Sequence, residues 1–158
     1  MKYILANPGK FNSFLFESSR VGAIHTDKIN GEKCYNMTLS TGLPGWHLVI
    51  FTNPMNHIAY KLSVEKNDYF AFLEGLAEIS DFWNFSSLND ITMNNANYLE
   101  VSHYRAKVGD LMIDIMCNGK SYPELQAQGF GVKVTRENAK DFISMLRRQV
   151  EDYEQSHQ

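Results

Sequence analysis

Lys61 and Lys133 each stand in a short run of alternating apolar residues, Ile58, Tyr60, Leu62 in one case and Phe130, Val132, Val134 in the other. On an extended backbone each ammonium therefore faces away from the apolar side. The same parity places His57 beside Lys61 and, with Leu48 and Ile50 turned inward, assigns His47 and Phe51 to the same outer face. In the second half Tyr104, with Arg105 next to it, is given the equivalent position. Cations interleaved with aromatic rings suit a single-stranded nucleic acid, because they offer charge for phosphates and ring faces for bases. The opposing reading is that strand-flanking lysines guard sheet edges against pairing and that Phe51 is buried by a second sheet.

Other residues with chemical potential lack the company that chemistry needs. Asp110 and Asp114 share strand parity and could hold a metal or do acid-base work, but no third ligand has recognisable spacing. The five histidines form no HExxH and no paired Cys/His pattern, so neither a zinc site nor any other metal or cofactor is expected. Gly129-Phe130-Gly131 is too short for a phosphate-binding loop and precedes a strand instead of a helix. No GxSxG is present, and Cys34 and Cys117 have no local activating neighbours. The chain is accordingly read as a non-enzyme.

The totals narrow the class further. At 158 residues, with 44% hydrophobic and 21% charged, the chain can bury a core without staples and is read as one compact domain. A net charge of -3 gives no global attraction to nucleic acid or anionic membrane, so such binding would need a local patch. Two cysteines make no disulfide framework, which fits a cytoplasmic setting. The apolar run near Met1 is too short for a signal peptide and no later stretch is long enough to span a membrane. The sequons at Asn36 and Asn84 then read as coincidence.

The elements expected to carry these residues come in two sets. In the first, Asn30-Gly31 marks a hairpin, Cys34 to Ser40 and Trp46 to Thr52 read as strands, and His57 to Ser80 reads as a strand running into a helix. Ser63 is the expected N-cap and Tyr69, Phe70, Leu73, Leu76 and Ala77 the buried stripe. Residues 82 to 97 read as a connector, with one helical turn near Ser87 to Met93. The second set has strands at Tyr98 to Ala106 and Leu111 to Cys117, a hairpin at Asn118-Gly119, and an edge strand or loop at Lys120 to Gln128. A second strand-cap-helix segment, Gly129 to Tyr153, has Thr135 as cap and Phe142, Ile143, Leu146 and Val150 as stripe. Ser63 and Thr135 occupy matching places, as do Lys61 and Lys133, which raises the prospect of an internal duplication. The fold class expected is α+β: two ββββα units, half-units 11–81 and 98–154, each an antiparallel sheet backed by a C-terminal helix.

On Gly109-Asp-Leu-Met-Ile-Asp-Ile115, Gly131-Val-Lys-Val-Thr135 and the helix to Asp152, the second half resembles the single-stranded DNA-binding domain of the positive cofactor four transcriptional coactivator family. The ββββα order also resembles the Whirly family. The resemblance implies a curved sheet backed by a helix, with paired sheet surfaces holding unwound DNA. Two units in one chain would imitate that family's dimer, giving a monomer with a pseudo-twofold axis; a homodimer is the other possibility. This sequence departs from the pattern at Arg136 to Lys140, which lacks the expected Pro and aromatic, and in its sparse cations.

Two functions follow as expectations. One is non-catalytic binding of single-stranded DNA or RNA across a sheet face by Lys61, Lys133, Phe51, His47, His57, Tyr104 and Arg105. The other is a protein-protein interaction module, chaperone-like or inhibitory, docking a partner through its aromatic and Met-bearing sheet.

Overall fold

A computed structural model describes residues 13–16, 34–37, 49–101 and 103–157. The chain divides into two compact units, Met1–Leu48 with Arg105–Ser121, and Val49–Tyr104 with Tyr122–Gln158.

In the first unit the described elements are strands β1 (Ser13–Phe16) and β2 (Cys34–Met37), which pair in parallel, and a helix over Ala106–Met116. That helix occupies the stretch read as a strand from Leu111. Its sequence, AKVGDLMIDIM, is apolar at Val108, Met112, Ile113 and Ile115, all buried, and no Pro interrupts it. Asn118-Gly119 ends the helix instead of turning a hairpin. The N–H groups of Cys117 and Asn118 both return to the carbonyl of Ile113, at 2.8 and 3.2 Å, and Gly119 takes φ +65° just beyond. This positive φ after a helix is where glycine carries no Cβ penalty. Asp114 faces the same turn, receiving Asn118 Nδ2 at 3.1 Å and Lys120 Nζ at 3.0 Å.

The second unit begins with a helical hairpin. Helix α1 (His57–Lys66) starts where the Asn56 side chain accepts the N–H of Ile58 at 3.0 Å. Its entry is further pinned by His57 N–H to the Thr92 carbonyl at 3.1 Å and by Asn56 Nδ2 to Asn95 Oδ1 at 2.9 Å. It ends at Asn67, and Asp68 at φ +49° swings the chain into α2 (Tyr69–Ile79). Strand β3 (Phe82–Asn84) follows, then a loop to the short 3₁₀ turn Asn95–Asn97, and the strands β4 (Tyr98–Glu100) and β5 (His103–Tyr104). With the Ala106–Met116 helix as α3, the chain closes on α4 (Pro123–Ala127), β6 (Val132–Val134) and α5 (Ala139–Ser156). Thr135 does not cap α5 directly: its side chain donates to the Glu137 carboxylate, holding that carboxyl below the usual range, in the turn that precedes the helix.

The core of this unit lies where α2 and α5 cover the β3–β6 pair. Tyr69, Phe70, Leu73 and Ala77 from α2 meet Phe142, Ile143, Leu146 and Val150 from α5, with Tyr60, Phe82 and Val134 among them. Phe82 lies opposite Val134 and Asn84 opposite Val132 in the antiparallel register. Residues 50–52 run along the other edge of β3, through Trp83 N–H to the Ile50 carbonyl and Thr52 N–H to the Trp83 carbonyl, both 2.9 Å.

Asn84 joins these parts from a fully buried position. Its carbonyl oxygen accepts the Thr52 hydroxyl at 3.0 Å, and its amide donates to the carbonyls of Ser86 and Gly129, each at 2.9 Å. The Thr52 hydroxyl also accepts the N–H of Phe85 at 3.0 Å. The loop after β3 is closed in the same manner, by Asn89, Ser87 and Thr92 side chains bonding to nearby backbone. Much of what looked like a polar connector, Asn84, Ser86, Ser87, Asn89, Thr92 and Asn97, is thus buried and hydrogen-bonded, while Met93 to Ala96 are exposed.

The expectation of two ββββα units, antiparallel sheets each backed by a helix, is overturned. The described residues are mostly helical, and their strand pairing amounts to three two-stranded ladders and the Phe51–Trp83 bridge. The two segments taken as copies differ at their first element: the first opens as helix α1, the second as strand β6. The physical reason lies in the spacing of Ile58, Tyr60 and Leu62. On a helix, residues i and i+4 share a face while i+2 points the opposite way. An alternating triplet therefore builds either one face of a strand or two opposed faces of a helix. Here Tyr60 is fully buried while Ile58 and Leu62 are 55% and 54% exposed. Ser63, the expected cap, sits inside α1.

Candidate functional site

The residues singled out from the sequence are dispersed. His47 lies outside the described residues. Phe51 bridges to Trp83 and sets its ring edge-on to Phe85, with centroids 6.5 Å apart, in the core margin. Tyr104 is buried opposite Tyr98 in the β4–β5 ladder. Arg105 is exposed at the start of α3 in the other unit. Lys133 is on β6 and ion-pairs with Asp81 at 3.2 Å. Asp110 and Asp114, expected on one strand face, are a turn apart on α3, with Asp114 tied to Lys120.

His57 and Lys61 do come together, on α1. With Ile58, Leu62, Glu65 and Tyr153 they line a shallow groove of about 370 Å³ between α1 and the end of α5. Lys61 Nζ lies 4.9 Å over the centre of the Tyr153 ring, and that ring stacks on His157 at 4.1 Å. The cation over the ring face fixes the groove's wall, a contact worth about 0.5–1 kcal/mol at an exposed site. Ile58 and Leu62 supply its apolar surface, one turn apart. Among the described residues neither Lys61 nor Glu65 takes part in an ion pair.

This groove was not legible as such. The alternating pattern turns Ile58 and Leu62 toward the core, and Tyr153 enters only as the end of the second strand-cap-helix segment. A helical wheel over 57–66 carries the missing signal, since it puts Ile58 and Leu62 opposite Tyr60.

A second groove, about 340 Å³, runs between α2 and α5. Its charges are already matched, Arg147 to Glu74 at 3.1 Å and Arg136 to Glu78 at 2.6 Å, and Arg147 lies 4.5 Å over Phe70. It is the seam of the α2–α5 packing. Among the described residues no three His, Cys, Asp or Glu side chains are gathered to hold a metal ion, and no helix is long and apolar enough to cross a membrane.

Burial raises three tyrosine hydroxyls. Burial pushes the Tyr69 hydroxyl up to about 12, with Ser86 and Thr52 acting weakly against it. Tyr60 and Tyr98 are raised further, by burial first and then by the neighbouring tyrosine in each case. Tyr98 nonetheless donates to the Pro54 carbonyl at 2.9 Å. These phenols are structural, held neutral inside the fold. Compared with known protein families, curated proteins and solved structures, the chain matches none.

Proposed function

We propose that this chain is a non-catalytic protein-binding module that docks a partner along the outer face of α1. One observation carries the reading: α1 is apolar on two opposite sides, and among the described residues the core covers the Tyr60 side alone. A surface helix whose outer face were made only for water would place charged residues at 58 and 62. Instead two branched aliphatic side chains stand about half exposed beside an aromatic ring, rimmed by Lys61 and Glu65. Apolar anchors within a polar rim are the composition of a docking surface.

The single-strand reading depended on Lys61 and Lys133 lying on one sheet face. Lys61 is on a helix, and the charge of Lys133 is offset by Asp81. With a net charge of -3 behind them, these cations supply little of the electrostatic attraction that nucleic-acid binding requires.

The test is a photo-crosslinking residue in place of Leu62, with a second at Ile79, which is 83% exposed on α2, as the control. Discrete protein adducts from Leu62, lost when Ile58 becomes Glu, are expected. Adducts of equal yield from both positions, or none from Leu62, would refute the assignment.

A further inference from the structure

We infer that the occupant of the α1 face is a second copy of this chain, docked antiparallel about a two-fold axis passing near Leu62; this rests on the docking reading above. A two-fold interface brings one patch against itself, so the patch must be self-complementary. The α1 face meets that condition. Ile58 and Leu62 are apolar and match any apolar partner, while Lys61 and Glu65 supply one charge of each sign without pairing to each other.

The register follows from helix geometry. Two antiparallel helices related by an axis at Leu62 place Lys61 of one copy opposite residue 63 of the other. At a rise of about 1.5 Å per residue, Glu65 of that second copy is then only about 3 Å further along the axis, within reach of the Lys61 side chain. The pairing occurs twice, once on each side of a central Leu62–Leu62 contact. Ile58 of each copy falls about one turn from the other's Leu62, at the mouth of the groove beside Tyr153. A partner unrelated to the chain would need its own cation for Glu65 and anion for Lys61 at this spacing; a second copy brings both.

The exposed apolar surface offered by Ile58 and Leu62 is small, so the association is weak and strongly concentration-dependent.

Sedimentation velocity from micromolar to near-millimolar protein tests this. The expected result is a monomer at low concentration passing to a dimer at high concentration. Leu62→Glu should leave the far-UV spectrum intact, because its side chain is half exposed, and abolish the dimer. Glu65→Lys alone and Lys61→Glu alone should each weaken dimerisation about fivefold or more, since each sets like charges against one another. The double swap, Lys61→Glu with Glu65→Lys, restores opposite charges across the axis and should dimerise more tightly than either single variant, while remaining below wild type because the Lys61–Tyr153 contact is lost. A wild-type chain that stays monomeric throughout overturns the proposal, as does a double swap no better than either single change. If the chain is monomeric but the crosslinker at Leu62 captures a different protein, the second-copy assignment falls while the docking surface stands. A monomer that also gives no adduct removes both.

Discussion

The Lys61 ammonium sits 4.9 Å over the Tyr153 ring, joining the outer side of α1 to the last turn of α5. The contact closes one end of an exposed groove whose floor carries Ile58 and Leu62. Tyr153→Ala is expected to widen this groove and weaken any docking there, while lowering stability by no more than about 1 kcal/mol. Paired binding and urea-unfolding measurements separate the two effects.

Asn84 ties three separate segments together through one buried side chain. Asn84→Ala leaves the Ser86 and Gly129 carbonyls without their amide donors and removes the acceptor of the Thr52 hydroxyl, all in a buried site. At about 1–3 kcal/mol per orphaned group, the loss should reach at least 3 kcal/mol. Thermal or urea unfolding reads it directly. The same burial means that the Asn84 sequon is sealed in the folded chain.

Two glycines should respond in opposite directions to alanine. At Gly129, φ is +88° and an added Cβ would lie 3.0 Å from the Ser87 side chain and 3.1 Å from Leu146 Cδ2. Strain and crowding together should cost about 2–4 kcal/mol. Gly75, inside α2, has nothing within 4 Å of the corresponding position, so Gly75→Ala should stabilise by about 0.5–1 kcal/mol. Melting temperatures of the two variants, measured side by side, check both signs.

These positions also mark how far the sequence could be read. The stripes Tyr69, Phe70, Leu73, Ala77 and Phe142, Ile143, Leu146, Val150 were legible because helical spacing over ten or more residues has few competing explanations. Ile58 to Leu62 and Leu111 to Ile115 were misread because short alternating apolar runs fit a strand face and a two-faced helix equally well. Ser86 to Asn97 looked like a solvated connector because its Asn, Ser and Thr residues are polar by type. The burial of Ser86, Ser87, Asn89, Thr92 and Asn97 depends on hydrogen bonds with Asn53, Gln128 and the loop's own backbone, partners that composition does not reveal. The site was missed for the same reason as the fold, since Ile58 and Leu62 had been assigned to the wrong side of their element.

Alkali should unfold the protein through its buried tyrosines. A phenol raised from its ordinary value near 10 to about 12, as at Tyr69, keeps its proton in the folded state while the unfolded chain gives it up. The unfolded state then binds fewer protons above pH 10, so stability falls as pH rises through that window and is unaffected below it. Tyr60 and Tyr98 shift in the same direction and add to the slope. Tyrosinate absorbance from these residues should appear together with loss of far-UV ellipticity, whereas titration in a still-folded protein would contradict the assignment.

The α2–α5 seam separates charge pairing from packing. Glu74→Ala removes an exposed ion pair and should cost less than about 0.5 kcal/mol. Arg147→Ala removes the same pair and also the guanidinium over Phe70, and should cost about 1 kcal/mol. Urea denaturation of both variants, with the double variant to close the cycle, gives the difference.

Hydroxyl-radical footprinting compares the chain inside cells with the dilute purified protein and tests the docking surface most directly. Protection of Ile58, Leu62 and Tyr153 in cells, with Ile79 unchanged as an exposed reference on α2, is the predicted result. Equal labelling of Ile58 and Leu62 in the two settings would contradict the assignment of this face as a docking surface.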